Sequence, residues 1–138
     1  MKVLVPVDNS KVSEKAIVHA LEQVEETNDS ICFVHSVSDD VSIEGEQMYV
    51  DLERAQDLGD KAIERAEQIS QDFDVDTQSL LLRNGTVVEG ILEATEQYNP
   101  DRIYIGHRNF HETKGSVSRK LLSKSPVPVT VVTEQMDY

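Results

Sequence analysis

Cysteine, aromatic residues and basic residues are all scarce in this sequence. Its 138 residues include one cysteine, no tryptophan, three phenylalanines and four tyrosines. A single cysteine excludes an internal disulfide. Because Cys32 lies in the apolar run ICFV, we expect it to be a small buried hydrophobic residue rather than a reactive thiol.

Basic side chains are half as numerous as acidic ones. The 13 lysines and arginines face 26 aspartates and glutamates, which gives a formal net charge of −13. Such a surface repels phosphate backbones at long range, which argues against a general nucleic-acid-binding or anionic-membrane-binding protein. The acidity has two open explanations, a salt-adapted (halophilic) host or an ordinary acidic cytosolic protein.

Long apolar runs are also absent. No stretch approaches the roughly 18 consecutive apolar residues of a membrane span, and the opening MKVLVPVD is too short for a signal peptide. We therefore expect a soluble, cytoplasmic protein without a membrane partner. The length fits one domain over residues 1–138.

Short apolar runs rich in valine alternate with amphipathic segments along the whole chain. This alternation is typical of an α/β fold in which helices cover both faces of a parallel sheet. The predicted strands are 2–7, 30–37, 75–82, 102–106 and 127–132. The predicted helices are 12–24, 47–73, one that begins with a Thr86–Glu89 capping box and ends at Tyr98, and 115–125.

Two residues carry further structural expectations. Pro128 cannot donate to a ladder, so the last strand is predicted at an edge of the sheet. Gly90 lies in the middle of the third predicted helix, where glycine costs about 1 kcal/mol relative to alanine. We expect a close packing contact at Gly90.

Polar or glycine residues lie at the ends of three predicted strands, with Asp8 after the first, His35-Ser36 at the second and Gly106 at the fourth. Ligands of such sheets bind beyond the carboxyl ends of the strands. The fourth helix begins at Gly115-Ser116, where free N–H groups favour an anion; alternatively, Ser116 only caps this helix. Residues 102–125 hold six basic residues and one acidic residue, Glu112, which favours a compact polyanion.

The segments VPVD, VHSV and IGHR…GSVSRKLLSKSPVPVTVV resemble the universal stress protein (UspA-like) family over essentially the whole chain. The resemblance implies a three-layer α/β/α sandwich of the adenine-nucleotide alpha hydrolase-like type, with a five-stranded parallel sheet in the order 3-2-1-4-5. It also implies ATP or a related adenine nucleotide as ligand, with or without Mg²⁺, and a homodimer formed through strand 127–132. A regulatory role that couples nucleotide state to an unknown protein partner follows.

Carried over by position, the resemblance places Asp8 near the ribose or metal-bridged phosphates, Val34 near the base, and Gly106 and Arg108 beside the phosphates. Asn109 stands where the family has a second glycine, and it can preserve the turn because asparagine tolerates positive φ. Five residues separate Asn109 from Gly115, and the corresponding loop of the family is four residues longer. The nucleotide-binding residues implied are Pro6, Val7, Asp8, Val34, Gly106, Arg108, Asn109, Gly115, Ser116, Val117 and Ser118.

Catalytic chemistry has less support in the sequence. Asp8 is the one carboxylate predicted at the site, and no nucleophile, base and oxyanion hole can be assembled around it. His107 and His111 lack a metal-binding spacing, and His35 is expected to be a structural strand histidine. The sequence thus favours a binding module over an enzyme; a nucleotide-independent homodimeric interaction module and a slow nucleotide hydrolase are the alternatives.

Overall fold

The computed structural model describes residues 1–37, 48–83, 85–107 and 117–134. In these ranges strands and helices alternate as the sequence predicted. The elements are β1 (Lys2–Pro6), α1 (Lys11–Thr27), β2 (Ser30–Val37), α2 (Met48–Ser70), β3 (Asp76–Arg83), α3 (Val87–Tyr98), β4 (Arg102–His107), α4 (Val117–Lys124) and β5 (Val129–Thr133). None of the helices described combines the length and apolar character needed to cross a membrane.

The five strands form one sheet in the order β3-β2-β1-β4-β5, and all neighbouring strands run parallel. The chain first adds strands on one side of β1 and then returns to add β4 and β5 on the other side. The order therefore reverses between β1 and β4, and a crevice opens there beyond the strand ends. The predicted fold class and strand order are confirmed.

Two hydrophobic cores lie on opposite faces of the sheet, because successive side chains of a buried strand point to opposite sides. Val3, Val5 and Phe33 pack with α1 and α2 in one core. Leu4, Val34 and Cys32 face the other way and pack with α3 and α4. Cys32 is fully buried, and its burial raises the pKa of the thiol to about 11, as expected for a structural cysteine.

Local sequence signals account for the ends of α1 and α3. Ser10 caps α1 by accepting a hydrogen bond from the Ser13 N–H, and Thr86 and Glu89 form the reciprocal capping box predicted for α3. Asn28 and Asn99 end these two helices in the left-handed conformation. The predicted capping box is therefore confirmed.

The predicted boundaries of β5 were wrong by one or two residues. Pro128 precedes the strand instead of lying within it, because proline has no N–H group for the ladder. Its carbonyl still accepts a hydrogen bond from the Ile103 N–H at 2.9 Å. The edge position of β5 is confirmed by the strand order.

Other predicted boundaries also shift slightly. β1 ends at Pro6 rather than Val7, and β3 is displaced by one residue toward the carboxyl end. α2 ends at Ser70 rather than at residue 73. The predicted start of α4 at Gly115-Ser116 lies outside the described residues, which include this helix from Val117 onward.

Candidate functional site

The turn from β1 into α1 is held by three hydrogen bonds. The Asp8 N–H donates to Ser13 Oγ at 3.0 Å, the Ser10 N–H donates to Asp8 Oδ1 at 2.7 Å, and the Ser13 N–H donates to Ser10 Oγ at 3.2 Å. Asp8 itself is exposed. The turn therefore fixes a carboxylate at the carboxyl end of the central strand and leaves it open to solvent.

A cavity of about 210 Å³ lies beside this turn, at the reversal point of the sheet. It occupies the α3 and α4 side, beyond the carboxyl ends of β1, β2 and β4. Its walls are largely apolar, and its polar groups come mainly from the β1–α1 turn and the end of β2. The lining residues are Pro6, Val7, Asp8, Ser10, Ser13, Val34, His35, Ser36, Val87, Ile91, Ile105, Gly106 and Val117.

Hydrogen bonds tie the ends of β1 and β2 together under this cavity. The Val7 N–H donates to the Val34 carbonyl at 2.8 Å. His35 Nδ1 lies 2.8 Å from the Val7 carbonyl, and since a carbonyl can only accept, this nitrogen carries the proton. His35 is therefore hydrogen-bonded through Nδ1, as expected for a structural histidine.

Gly106 allows the end of β4 to approach the first turn of α1. A Cβ at this position would lie 2.7 Å from the Val12 carbonyl oxygen, 2.8 Å from its carbon and 3.1 Å from the Ser13 nitrogen. No real side chain fits at those distances. Glycine thus brings β4, α1 and the cavity floor together.

Ser36 lines the cavity at the end of β2, where the sequence predicted polar residues. It is 6% exposed, and its hydroxyl has no hydrogen-bond partner among the residues described. A Cβ at Gly90 of α3 would lie 1.8 Å from Ser36 Oγ and 2.7 Å from Ser36 Cβ. The close contact predicted at Gly90 is therefore present, with a serine hydroxyl as the neighbour.

A side-chain contact joins the end of β4 to the described part of α4. Ser118 Oγ lies 2.5 Å from His107 Nδ1, and Ser118 is buried. This contact already engages the hydroxyl of Ser118, one of the predicted nucleotide-binding residues. Among the described residues, no group of three or more His, Cys, Asp or Glu side chains is arranged to hold a metal ion.

Of the eleven predicted nucleotide-binding residues, six line the cavity. These six are Pro6, Val7, Asp8, Val34, Gly106 and Val117. Ser118 lies next to the cavity without lining it, and Arg108, Asn109, Gly115 and Ser116 lie outside the described residues.

The basic residues of 102–125 do not form one group around the cavity. Arg102 begins β4, at the opposite end of the strand from Gly106, and its Nη1 donates to Thr130 Oγ1 at 3.0 Å. Arg119 and Lys120 are exposed on α4, and Lys124 ends that helix. Arg108 and Lys114 lie outside the described residues.

Several lining residues were not singled out in the sequence. Ser13, Val87, Ile91 and Ile105 line the cavity because their elements begin or end at the same edge of the sheet. The apolar three of these resemble ordinary core residues. Ser36 differs from these residues, because the sequence already indicates it, with His35, at the end of the second predicted strand; it lies two residues after Val34 and therefore on the same buried face of β2.

Solved structures with similar folds were found, although no individually curated protein sequence matches the chain. Universal stress protein UspA from Lactobacillus plantarum superposes with a TM-score of 0.81 at 17% identity, over 96% of this chain and 97% of that chain. A universal stress protein from Archaeoglobus fulgidus gives 0.76 at 22% identity, over 96% and 93%. A universal stress protein family protein from Arabidopsis thaliana, described with AMP bound, gives 0.74 at 19%, over 99% and 94%.

A further solved structure is described as a universal stress protein in complex with cAMP; its TM-score is 0.73 at 18% identity, over 96% of each chain. At these identities the structural matches establish the fold. The sequence profile of the Universal stress protein family matches residues 1–133, nearly the whole chain. This chain therefore belongs to the universal stress protein family.

Proposed function

We propose that this protein binds an adenine nucleotide in the cavity at the carboxyl ends of β1, β2 and β4 and acts as a regulatory module. The observation that carries the proposal is the combination of apolar walls with a fixed, exposed carboxylate at the reversal point of the sheet. Two proteins of similar fold are described with AMP and cAMP, which supports the choice of an adenine ligand.

The apolar side of the cavity suits a planar base. Val34, Ile91 and Ile105 are almost fully buried and present aliphatic surface to the cavity. At about 210 Å³, the cavity is below the roughly 300 Å³ at which pockets for drug-sized ligands begin. We infer that it encloses the base and that the sugar and phosphates extend outward.

The polar side of the cavity suits the ribose. Asp8 Oδ1 already accepts from the Ser10 N–H, which orients the carboxylate toward solvent at the mouth. An ionised carboxylate forms strong hydrogen bonds to hydroxyl donors. We assign Asp8 to the ribose hydroxyls or, with ATP and Mg²⁺, to the metal-bridged phosphates.

The phosphates are assigned to the segment that joins β4 to α4. Gly106 and Val117 flank this segment, and both line the cavity. The amino end of a helix such as α4 favours negative charge. Arg108, Asn109, Gly115 and Ser116 complete this proposed phosphate site. ATP has three phosphates and AMP has one, so ATP with Mg²⁺ requires more contacts from this short segment than AMP does.

The same experiments distinguish two alternative functions. A nucleotide-independent homodimeric module would bind neither AMP nor ATP. A slow hydrolase would release ADP from ATP in an Asp8-dependent manner.

The nucleotide proposal predicts a specific loss of affinity when Asp8 is replaced. We expect Asp8→Ala to weaken AMP binding about ten- to hundredfold, the range for a hydrogen bond to a charged group. The AMP affinity of Asp8→Asn should fall between those of the wild type and Asp8→Ala, because the amide oxygen of asparagine can still accept from the Ser10 N–H. Isothermal titration calorimetry with AMP, and separately with ATP and Mg²⁺, measures both effects at low and high salt.

Asp72→Ala is the matched control. Asp72 is exposed and follows α2 at the amino ends of the strands, and its loss should leave the affinity unchanged. Equal weakening by both variants would indicate a nonspecific charge effect. Absence of any AMP or ATP binding by the wild-type protein would contradict the proposal.

We also propose that the protein forms a homodimer through the open edge of β5. A separate, unidentified protein partner would sense the nucleotide state. Among the described residues β5 pairs with β4 alone, and within those residues the other side of its backbone has no strand neighbour and can pair with a second strand. The strand is rich in valine and half-buried rather than charged, which suits pairing with another copy.

A further inference from the structure

Ser36 has a buried hydroxyl to which none of the described residues is hydrogen-bonded. It is 6% exposed, it lines the cavity, and within the described ranges its Oγ has no hydrogen-bond partner. Most buried hydroxyls in proteins are hydrogen-bonded, so an exception calls for a specific explanation.

The surrounding structure makes room for this hydroxyl. Gly90 lies in the middle of α3, where glycine is a poor helix former, and any Cβ there would overlap Ser36 Oγ at 1.8 Å. A serine with no partner and a glycine inside a helix each destabilise the fold. An alanine at position 36 would remove the unpartnered group, so stability alone does not explain the serine.

The position of Ser36 indicates which part of a ligand it would meet. It lies two residues beyond Val34 on the same face of β2, and Val87 and Ile91 of α3 line the cavity on this side. Asp8 and Ser10 belong to the β1–α1 turn. Ser36 is therefore on the side assigned to the base.

We propose that the Ser36 hydroxyl is a specificity-determining group that hydrogen-bonds to the purine base of the bound nucleotide. A hydroxyl both donates and accepts, so it can serve a ring nitrogen or an exocyclic amino group. Rotation about the Cα–Cβ bond moves the oxygen among staggered positions, which lets it leave Gly90 and face the ligand. This inference rests on the proposed nucleotide binding.

The test compares Ser36→Ala with wild type in two measurements. Calorimetric titration with AMP should show about three- to tenfold weaker binding, the range for one neutral hydrogen bond. The thermal unfolding midpoint without ligand should stay equal or rise, because the substitution removes an unpartnered buried hydroxyl. Ser123→Ala, at an exposed position near the end of α4, is the matched control and should leave AMP affinity unchanged.

The outcomes distinguish a failure of the proposed role of Ser36 from a failure of the proposed nucleotide binding. If wild type binds AMP and Ser36→Ala binds it equally well, the role of Ser36 is refuted while nucleotide binding stands. A lower unfolding midpoint with unchanged affinity would likewise overturn it and make Ser36 a structural residue. If wild type binds no nucleotide, the proposed function fails and the role of Ser36 fails with it.

Discussion

Replacing Gly106 with alanine should lower the free energy of unfolding by about 1–3 kcal/mol, the usual cost of forcing an extra methyl group into a packed region. The added Cβ would lie 2.7 Å from the Val12 carbonyl oxygen and 3.1 Å from the Ser13 nitrogen. Both are backbone atoms of α1, so relief requires the helix or the strand to move. Urea unfolding followed by circular dichroism measures the change.

Gly59→Ala provides the comparison for this variant. Its Cβ would meet side-chain atoms, His35 Cδ2 at 2.6 Å and Leu81 Cδ1 at 3.0 Å, and alanine improves the helix propensity of α2 by about 1 kcal/mol. We therefore expect a smaller loss of stability than for Gly106→Ala. Wild-type stability for Gly106→Ala, or the reverse order of the two variants, would contradict the close approach of β4 to α1.

Val131→Pro should convert the proposed homodimer into a monomer. The Ile103 N–H donates to the Pro128 carbonyl and Ile103 pairs with Val129, so alternate residues of β5 bond to β4. By this alternation the Val131 N–H points to the open edge. Proline removes that donor while keeping the ladder to β4, which an edge strand tolerates.

Multi-angle light scattering distinguishes the two states, since each chain has a mass of 15.5 kDa. Val131→Ala is the control, because it trims the side chain and keeps the N–H, and it should remain dimeric. Circular dichroism establishes that the proline variant is folded. A monomeric wild-type protein, or a folded Val131→Pro protein that stays dimeric, would contradict dimerisation through β5.

Much of the fold could be predicted because its signals are local or periodic. Each of these signals identifies its own element: the valine-rich run identifies β1, the amphipathic pattern identifies α1, and the Thr86–Glu89 capping box identifies the start of α3. The errors lie at the ends of strands and helices. For example, Pro128 precedes β5 instead of lying within it, because its missing N–H favours a position just before the strand.

The site was predicted less completely, because a cavity depends on which distant elements meet. Asp8, Ser36 and Gly106 are indicated by their positions at the ends of predicted strands. Val87 and Ile91 resemble ordinary core residues of a helix, and their position beside the cavity follows from the packing of α3 on β2. The meaning of Ser36 depends on its contact with Gly90, 54 positions later in the sequence, which no local pattern shows.

Chemical-shift mapping of an AMP titration tests the central claim most directly. If the nucleotide binds at the reversal point of the sheet, the backbone amides of Val7, Asp8, Val34, Gly106 and Val117 should shift in a saturable, concentration-dependent way. The amides of Asn28, Asp29 and Asn99, at the amino ends of the strands, should stay unchanged. Shifts confined to those three residues, or no saturable shift anywhere, would contradict nucleotide binding at the carboxyl edge.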